Sequence, residues 1–194
     1  MTISRKLSGL LAACMILAAA APAFAVEQAT VASVDGLVRL HAPDGSWTSA
    51  EAGDSVRAGM SVSTGFNATA VLEIGASRVS VDPVSYLSFD EIALQGDTQE
   101  SSLDLSFGRV RSEVRSASAR QTDFTVRSPV STASVKGTDF LYDGSLLVVY
   151  EGDVSLQNQI GQSHSVRAGQ RSRAYGYEGI QSVEAYFLEV ADLN

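Results

Sequence analysis

Apolar and polar residues alternate along most of this chain, the two-residue period of a half-buried strand. "VASVDGLVRL" sets Val34 before an Asp35-Gly36 turn, then Val38 and Leu40 on either side of Arg39. Pro43-Asp44-Gly45 is a strong turn signal. In "ATAVLEIGASRVSVDPVSYLSF" Val71 and Ile74 precede a Gly75 turn, Val79 and Val81 follow it, and Pro83 ends that strand or places it at an edge. "SLDLSFGRVRSEV" is more specific. Leu103, Leu105 and Phe107 occupy odd positions, whereas Val110 and Val114 occupy even ones. A strand cannot change faces without an extra residue. The pattern therefore predicts a β-bulge or bend at Gly108, with Phe107 and Val110 facing the same apolar layer. It also lines Arg109, Arg111, Glu113 and Arg115 along one face.

"VRSPVSTASVKGTDFLYDG" (126–144) reads as two strands broken by Pro129 and Gly137, with a turn at Asp143-Gly144. "LLVVY" is a continuous apolar run, as in a strand buried on both sides. An internal echo follows: "VDGLVRL" at 34–40 resembles "YEGDVSL" at 150–156, and "SVRAG" occurs at both 55–59 and 165–169. This suggests one strand-turn unit used twice. In the tail, Val183, Phe187 and Val190 make a helical stripe, predicting a short C-terminal helix packed on the sheet. The expected fold is all-β: a compact two-layer β-sandwich, or a β-roll or solenoid-like domain of short strands, with that helix at its end. Its expected limits are a signal peptide at 1–25, the β domain at 26–175 and the tail at 176–194.

The N-terminus changes the cellular setting. Arg5 and Lys6 precede an apolar run from Leu7 to about Ala21, and Ala23-Phe24-Ala25 supplies small residues around a cleavage point. That is the layout of a secretory signal cut after Ala25. The run is short for a membrane helix, which needs about 20 apolar residues. "LAAC" at Leu11–Cys14 offers the alternative of a lipoprotein anchored through Cys14. Cys14 is the only cysteine, so the exported chain would hold no thiol, disulfide or Cys-metal site. The formal net charge is −8. Loss of Arg5 and Lys6 makes it more acidic, which argues against nucleic acid as a partner. These features fit a periplasmic protein with no membrane span after signal cleavage.

Little in the chain points to catalysis. His41 and His164 lack neighbouring ligands in sequence and read as ordinary strand residues. No G-x-S-x-G or H-E-x-x-H string is present. Neighbouring acids such as Asp90-Glu91 could make a glycosidase pair only at a separation that sequence does not give, and read as solvated. No catalytic, cofactor or metal residue is expected. Arg109, Arg111 and Arg115 are the candidate interaction face, since guanidinium forks grip anions; the plainer reading is a solvent face of cross-strand charge pairs.

The ordered strings Ser128-Pro129, Val135-Lys136-Gly137-Thr138-Asp139-Phe140, Glu151-Gly152-Asp153-Val154 and Ala168-Gly169-Gln170 resemble the FecR domain family. "GLVRL…W…AGDSVRAGMSVSTGFNATAVLEI" and "LSFGRVRSEV" are similar to its earlier strands, so the likeness runs from about Val31 to Ser172. The resemblance implies an all-β envelope domain. The best-known members are transmembrane regulators of iron-uptake signalling, with a cytoplasmic part that controls a sigma factor. No such part or internal span is read in this chain, so that role is not carried over. The expected function is a non-catalytic, protein-binding, sensing or scaffolding module with an envelope protein as partner. The alternative is a periplasmic glycan-binding or carbohydrate-active β protein. Carboxylates and aromatic platforms sharing one groove would favour the alternative; Trp47 is the only Trp, and the first reading is preferred.

Within the motif, Pro129, Gly137, Thr138, Phe140, Glu151, Gly152 and Gly169 are read as structural. A side chain at Gly137 is expected to clash with backbone or force an unfavourable φ, and Phe140 to be buried. Lys136 and Asp139 are expected to be exposed, with substitutions inside about ±0.5 kcal/mol. The export reading has its own test. Fractionation and mass spectrometry should find a periplasmic chain beginning at Val26, and a full-length cytoplasmic chain would contradict it.

Overall fold

The structure is a computed structural model that describes residues 28–117, 120–181 and the backbone of 184–185. Eighteen strands lie among these residues. In the first half they are β1 (Ala29–Asp35), β2 (Val38–His41), β3 (Trp47–Ser49), β4 (Ser55–Val56), β5 (Ser61–Thr64), β6 (Thr69–Ile74), β7 (Ser77–Val81), β8 (Tyr86–Gln95) and β9 (Thr98–Phe107). The second half adds β10 (Val110–Glu113), β11 (Gln121–Arg127), β12 (Ser131–Val135), β13 (Asp139–Tyr142), β14 (Leu146–Glu151), β15 (Asp153–Asn158), β16 (Ser163–Arg167), β17 (Gln170–Arg173) and β18 (Glu184–Ala185). The fold is all-β and two-layered, as the alternation predicts. The first sheet runs β18-β17-β14-β13-β10-β7-β6-β1-β4 and the second β16-β15-β12-β11-β9-β8-β5-β2-β3.

For most of its length the chain makes a hairpin within one sheet and then turns a corner into the other; β4 and β10 are single strands that visit the first sheet between strands of the second. Corners join β1 to β2 at Gly36-Leu37, β5 to β6 at 65–68, β7 to β8 at 82–85, β9 to β10 at Gly108-Arg109, β12 to β13 at 136–138 and β14 to β15 at Gly152. Ladders are antiparallel except β9 with β11, which are parallel neighbours. Parallel neighbours need a crossover, and β10 supplies it through the first sheet. Inward residues from both sheets form one core, including Leu72, Ile74, Phe89, Leu103, Phe124, Phe140, Tyr142, Leu147 and Leu156. In β14 the consecutive residues Leu147, Val148 and Val149 are all buried, as "LLVVY" implies.

Gly108 corrects the sequence reading. It is a corner between sheets, so the change of phase marks a change of sheet. Val110 is fully buried in the first sheet, while Phe107, at the end of β9, is 54% exposed on the outer face of the second. The two residues do not share a layer. A bulge does lie just before the corner, where Leu105 and Phe107 face Leu87 and Tyr86 and Ser106 is left unpaired; others fall between Phe89 and Glu91, Val31 and Ser33, and Asp139 and Phe140.

The echo is also clarified. β1-β2-β3 and β14-β15-β16 trace the same path: a first-sheet strand, a glycine corner and a second-sheet hairpin. Each path returns through a glycine whose N–H donates to the first strand, Gly53 to Val31 O at 2.8 Å and Gly169 to Val149 O at 2.9 Å. Ala52-Gly53 is thus the counterpart of Ala168-Gly169. The two "SVRAG" strings are not equivalent: Val56 lies in β4 of the first sheet and Val166 in β16 of the second.

At the C-terminus, Gly176–Glu178 is a single 3-10 turn and Glu184–Ala185 pairs with Arg171 and Gln170 as strand. Among the described residues no C-terminal α-helix is found. Val183, Phe187 and Val190, which carried the helical stripe, lie outside the described residues, as do the signal segment 1–25 and Cys14.

Phe140 is fully buried, as expected. Gly137 behaves differently from expectation. Its φ is +157°, and a Cβ built there would meet nothing within 4 Å. The close approach belongs to Gly152, at φ +82°, whose Cβ would lie 2.7 Å from the Gly137 carbonyl oxygen and 2.5 Å from Thr138 Cγ2. Thermal melts of single variants should therefore rank Gly152→Val well below Gly137→Val. The latter is limited to backbone strain of about 1–3 kcal/mol. Phe140→Ala should cost about 3–5 kcal/mol. Equal losses at the two glycines would contradict this corner geometry.

Candidate functional site

The outer face of the first sheet carries the predicted arginines. Cross-strand register sets Glu73 opposite Arg78, Arg78 opposite Glu113, Glu113 opposite Asp139 and Asp139 opposite Glu151. Three carboxylates thus stand side by side, which is unfavourable unless cations intervene. Arg111 answers Asp139 with two bonds, Nε at 3.0 Å and Nη2 at 2.7 Å, and lies over the Tyr150 ring at 4.7 Å. Arg115 reaches Glu151 at 2.8 Å and Arg109 lies 3.9 Å from Asp82. The hydrogen bonds that Arg111 donates to Asp139 raise the Arg111 pKa. All three guanidinium groups therefore have carboxylate partners, Arg111 and Arg115 on this face and Arg109 at the 82–85 corner. Asp139 is more enclosed than expected, with its side chain 13% exposed, whereas the Lys136 side chain is 83% exposed and lies 3.7 Å from Asp123.

The motif string builds a buried polar knot under the Asp143-Gly144 turn. Ser128 Oγ donates to Gly144 O at 2.5 Å and accepts the Ser131 and Val130 N–H groups, at 3.1 and 3.2 Å, across Pro129. The Tyr142 hydroxyl sits 2.7 Å from Ser131 Oγ and 2.9 Å from Ser131 O. Asp143 Oδ1 accepts the Leu146 and Ser145 N–H groups at 2.7 and 3.0 Å, an Asx turn. Burial pushes the Tyr142 phenol above its ordinary pKa. Thr138 is buried between Val114, which donates to its carbonyl at 2.7 Å, and Gly152. Glu151 is exposed in the charge ladder and Gly169 takes the return corner at φ +77°. The string fastens two sheets together.

Exposed apolar side chains gather elsewhere. Leu37, Phe66 and Val84 stand on three adjacent corners tied by backbone bonds, Gly65 N to Leu37 O at 2.9 Å and Val84 N to Gly65 O at 3.1 Å. Phe66 is 87% exposed. Val84 has φ +56°, a left-handed conformation that is a strained outlier for a β-branched residue. Beside these corners, on the outer face of the second sheet, His41 stacks on Trp47 at 4.4 Å and hydrogen-bonds Tyr86 at 3.1 Å. Tyr86 is followed by Phe107 at 6.1 Å, and Arg39 lies over Trp47 at 5.6 Å.

Comparison with known proteins places this arrangement. Residues 60–155, from β5 into β15, match the family model described as FecR protein. The chain carries a FecR-like domain. Two crystal structures of a candidate anti-sigma factor from Parabacteroides distasonis share its fold, each with a TM-score of 0.51 at 13% identity over 64% of this chain. The chain spans about three fifths (59%) of the length of those proteins. No curated protein matches it.

The segment matched as FecR holds the Tyr142 knot, the Gly137–Gly152 corner, Phe66, Val84, Tyr86 and Phe107, but not Leu37, His41 or Trp47. Sequence reasoning found the motif residues and missed the gathered aromatics, because residues far apart in sequence become neighbours only once strand register is known. Among the described residues no group of three or more His, Cys, Asp or Glu is placed to hold a metal, and no helix is long and apolar enough to cross a membrane. The knot has a pH signature. A phenol whose folded pKa exceeds its ordinary 10.0 contributes stability that is whole below that pH and lost as pH rises through the folded value. The melting temperature should therefore fall more steeply above pH 10 in the wild type than in Tyr142→Phe, which costs about 1 kcal/mol at neutral pH. Parallel alkaline limbs would contradict the buried phenol.

Proposed function

We propose that this FecR-like domain, residues 26–175, is the binding part of an exported envelope sensing or scaffolding protein that resides in the periplasm after signal cleavage, and that it binds a protein partner without catalysing a reaction. The observation that carries this reading is the corner ridge of Leu37, Phe66 and Val84. Three large apolar side chains in water, one held in a strained backbone, are costly features that a partner surface would repay. The candidate anti-sigma factor described for the fold neighbours agrees with a regulatory setting. The arginine face supports the reading less well, since Arg109, Arg111 and Arg115 already have carboxylate partners.

The partner is best pictured as a protein with an apolar groove that accepts Phe66, the most exposed of the three. Charged residues flanking the ridge, Asp82 and Arg109 among them, would sit at the polar rim of such a contact. A photo-crosslinking residue placed at Phe66 in the exporting cell should give one adduct of defined mass, and the same residue at Ser80, within β7 of the first sheet, should give none. Adding Val84→Asp should abolish the Phe66 adduct. Adducts at both positions, at neither, or unaffected by Val84→Asp would overturn the reading.

A further inference from the structure

The second sheet's outer face holds a feature the corner ridge does not explain. Strand register aligns Trp47, His41, Ser61, Ser88, Asp104 and Arg127 in one row across β3, β2, β5, β8, β9 and β11. Five strand spacings of about 4.8 Å make this lane roughly 24 Å long. At one end is the aromatic platform. Its rings are held: His41 lies nearly parallel to Trp47, at 19°, and is pinned by the Tyr86 hydroxyl. The Pro43-Asp44-Gly45 turn aims Trp47, with the Ser46 N–H donating to Asp44 Oδ1 at 2.9 Å. Beyond the platform come short hydroxyls, Ser61 and Ser88 bonded to each other at 2.9 Å, then a carboxylate and the Arg127–Asp90 pair at 3.8 Å. Beside the row, two residues along β11 from Arg127, the face opens into a hollow of about 560 Å³ lined by Thr125, Ser134 and Ser155 with Phe124 and Val135, and edged by Asp123, Lys136 and Asp153.

We propose that this lane binds an uncharged oligosaccharide chain. A pyranose ring offers what the lane can recognise: an apolar C–H face to stack on Trp47, and equatorial hydroxyls to exchange hydrogen bonds with serines, carboxylates and a guanidinium. The lane is several sugar units long and lies open across the strands, so a chain can cross it without entering a pocket. The chemistry disfavours other occupants. A protein contact would want continuous apolar surface, and the lane beyond the rings is hydroxylic and charged. A phosphate or nucleic acid would want free cations, while Arg127 and Lys136 stand beside Asp90 and Asp123 and the whole chain is acidic. The same carboxylates would repel an acidic polysaccharide. Because Trp47 and His41 lie outside residues 60–155, the platform is not contained in the segment that matches the family.

Trp47 is the only tryptophan, so its fluorescence reports this site alone. The purified exported chain would be titrated with a hexamer of N-acetylglucosamine, with cellohexaose, and with an oligogalacturonate of similar length. At least one of the two neutral oligomers should give a saturable change, with matching heat by calorimetry, and the acidic one none. By calorimetry, Trp47→Ala should weaken that binding more than tenfold and Ser88→Val should also weaken it, while Arg111→Ala on the other sheet leaves it unchanged. An unaltered melting temperature for Trp47→Ala guards against a folding artefact, since the side chain is 43% exposed. Failure of both neutral oligomers, binding of the acidic one alone, or unchanged affinity in Trp47→Ala would overturn the proposal. None of these outcomes bears on the Phe66 crosslink, so the two surfaces stand or fall separately.

Discussion

Where β14 turns into β15, the Gly137 carbonyl oxygen stands 2.7 Å from the place a side chain on Gly152 would begin. The same intimacy recurs at other corners. A Cβ on Gly36 would lie 2.7 Å from Asn67 O, and one on Gly108 would lie 2.4 Å from Ser85 Cα. Each of these glycines has positive φ and each is seated on the corner of a chain segment passing between the sheets. Close corner-to-corner packing sets where one sheet stands over the other. It lets inward side chains from both layers meet in one core, with Phe89, Phe124, Phe140 and Tyr142 fully enclosed.

That frame explains why the functional surfaces are exposed side chains on rigid backbone. Leu37, Phe66 and Val84 ride on corners whose spacing is fixed by backbone hydrogen bonds. The aromatic platform rests on four strands in defined register. Binding to either surface needs little ordering of the protein, which lowers the entropic cost of association. The conspicuous motif string serves the frame. Ser128, Ser131 and Tyr142 satisfy one another and the Gly144 carbonyl beneath a turn, and Thr138 fills the space beside Gly152.

Much of the fold could be read from alternation, because a period of two survives even in short strands. Phe140 inside, Pro83 after a strand end and the consecutive burial of Leu147 to Val149 all follow from local pattern. What local pattern lacks is the sheet to which each strand belongs. The shift of phase at Gly108 is the same whether a strand bulges or the chain changes sheets, and the structure uses both: an unpaired Ser106 turns Phe107 outward, and Gly108 then carries the chain into the first sheet. The repeated "SVRAG" misleads for a related reason, since identical letters occupy different sheets while Gly53 and Gly169 are the true counterparts. The arginine face was legible as a row, but its carboxylate partners come from the corner after β7, from β13 and from β14. The aromatic platform was invisible because its rings are scattered from position 41 to 107.

Interlocked corners make both halves of the sandwich one cooperative unit, so that the N-terminal strands bearing the platform are as firmly held as the motif core. Native-state hydrogen exchange by NMR measures this directly. Amides in the β2–β5 ladder, Leu40 and Val62 among them, should open with the same free energy as those of Leu141 and Val148 in the β13–β14 ladder, both matching global unfolding. A distinctly lower opening energy for the N-terminal ladder would contradict the account.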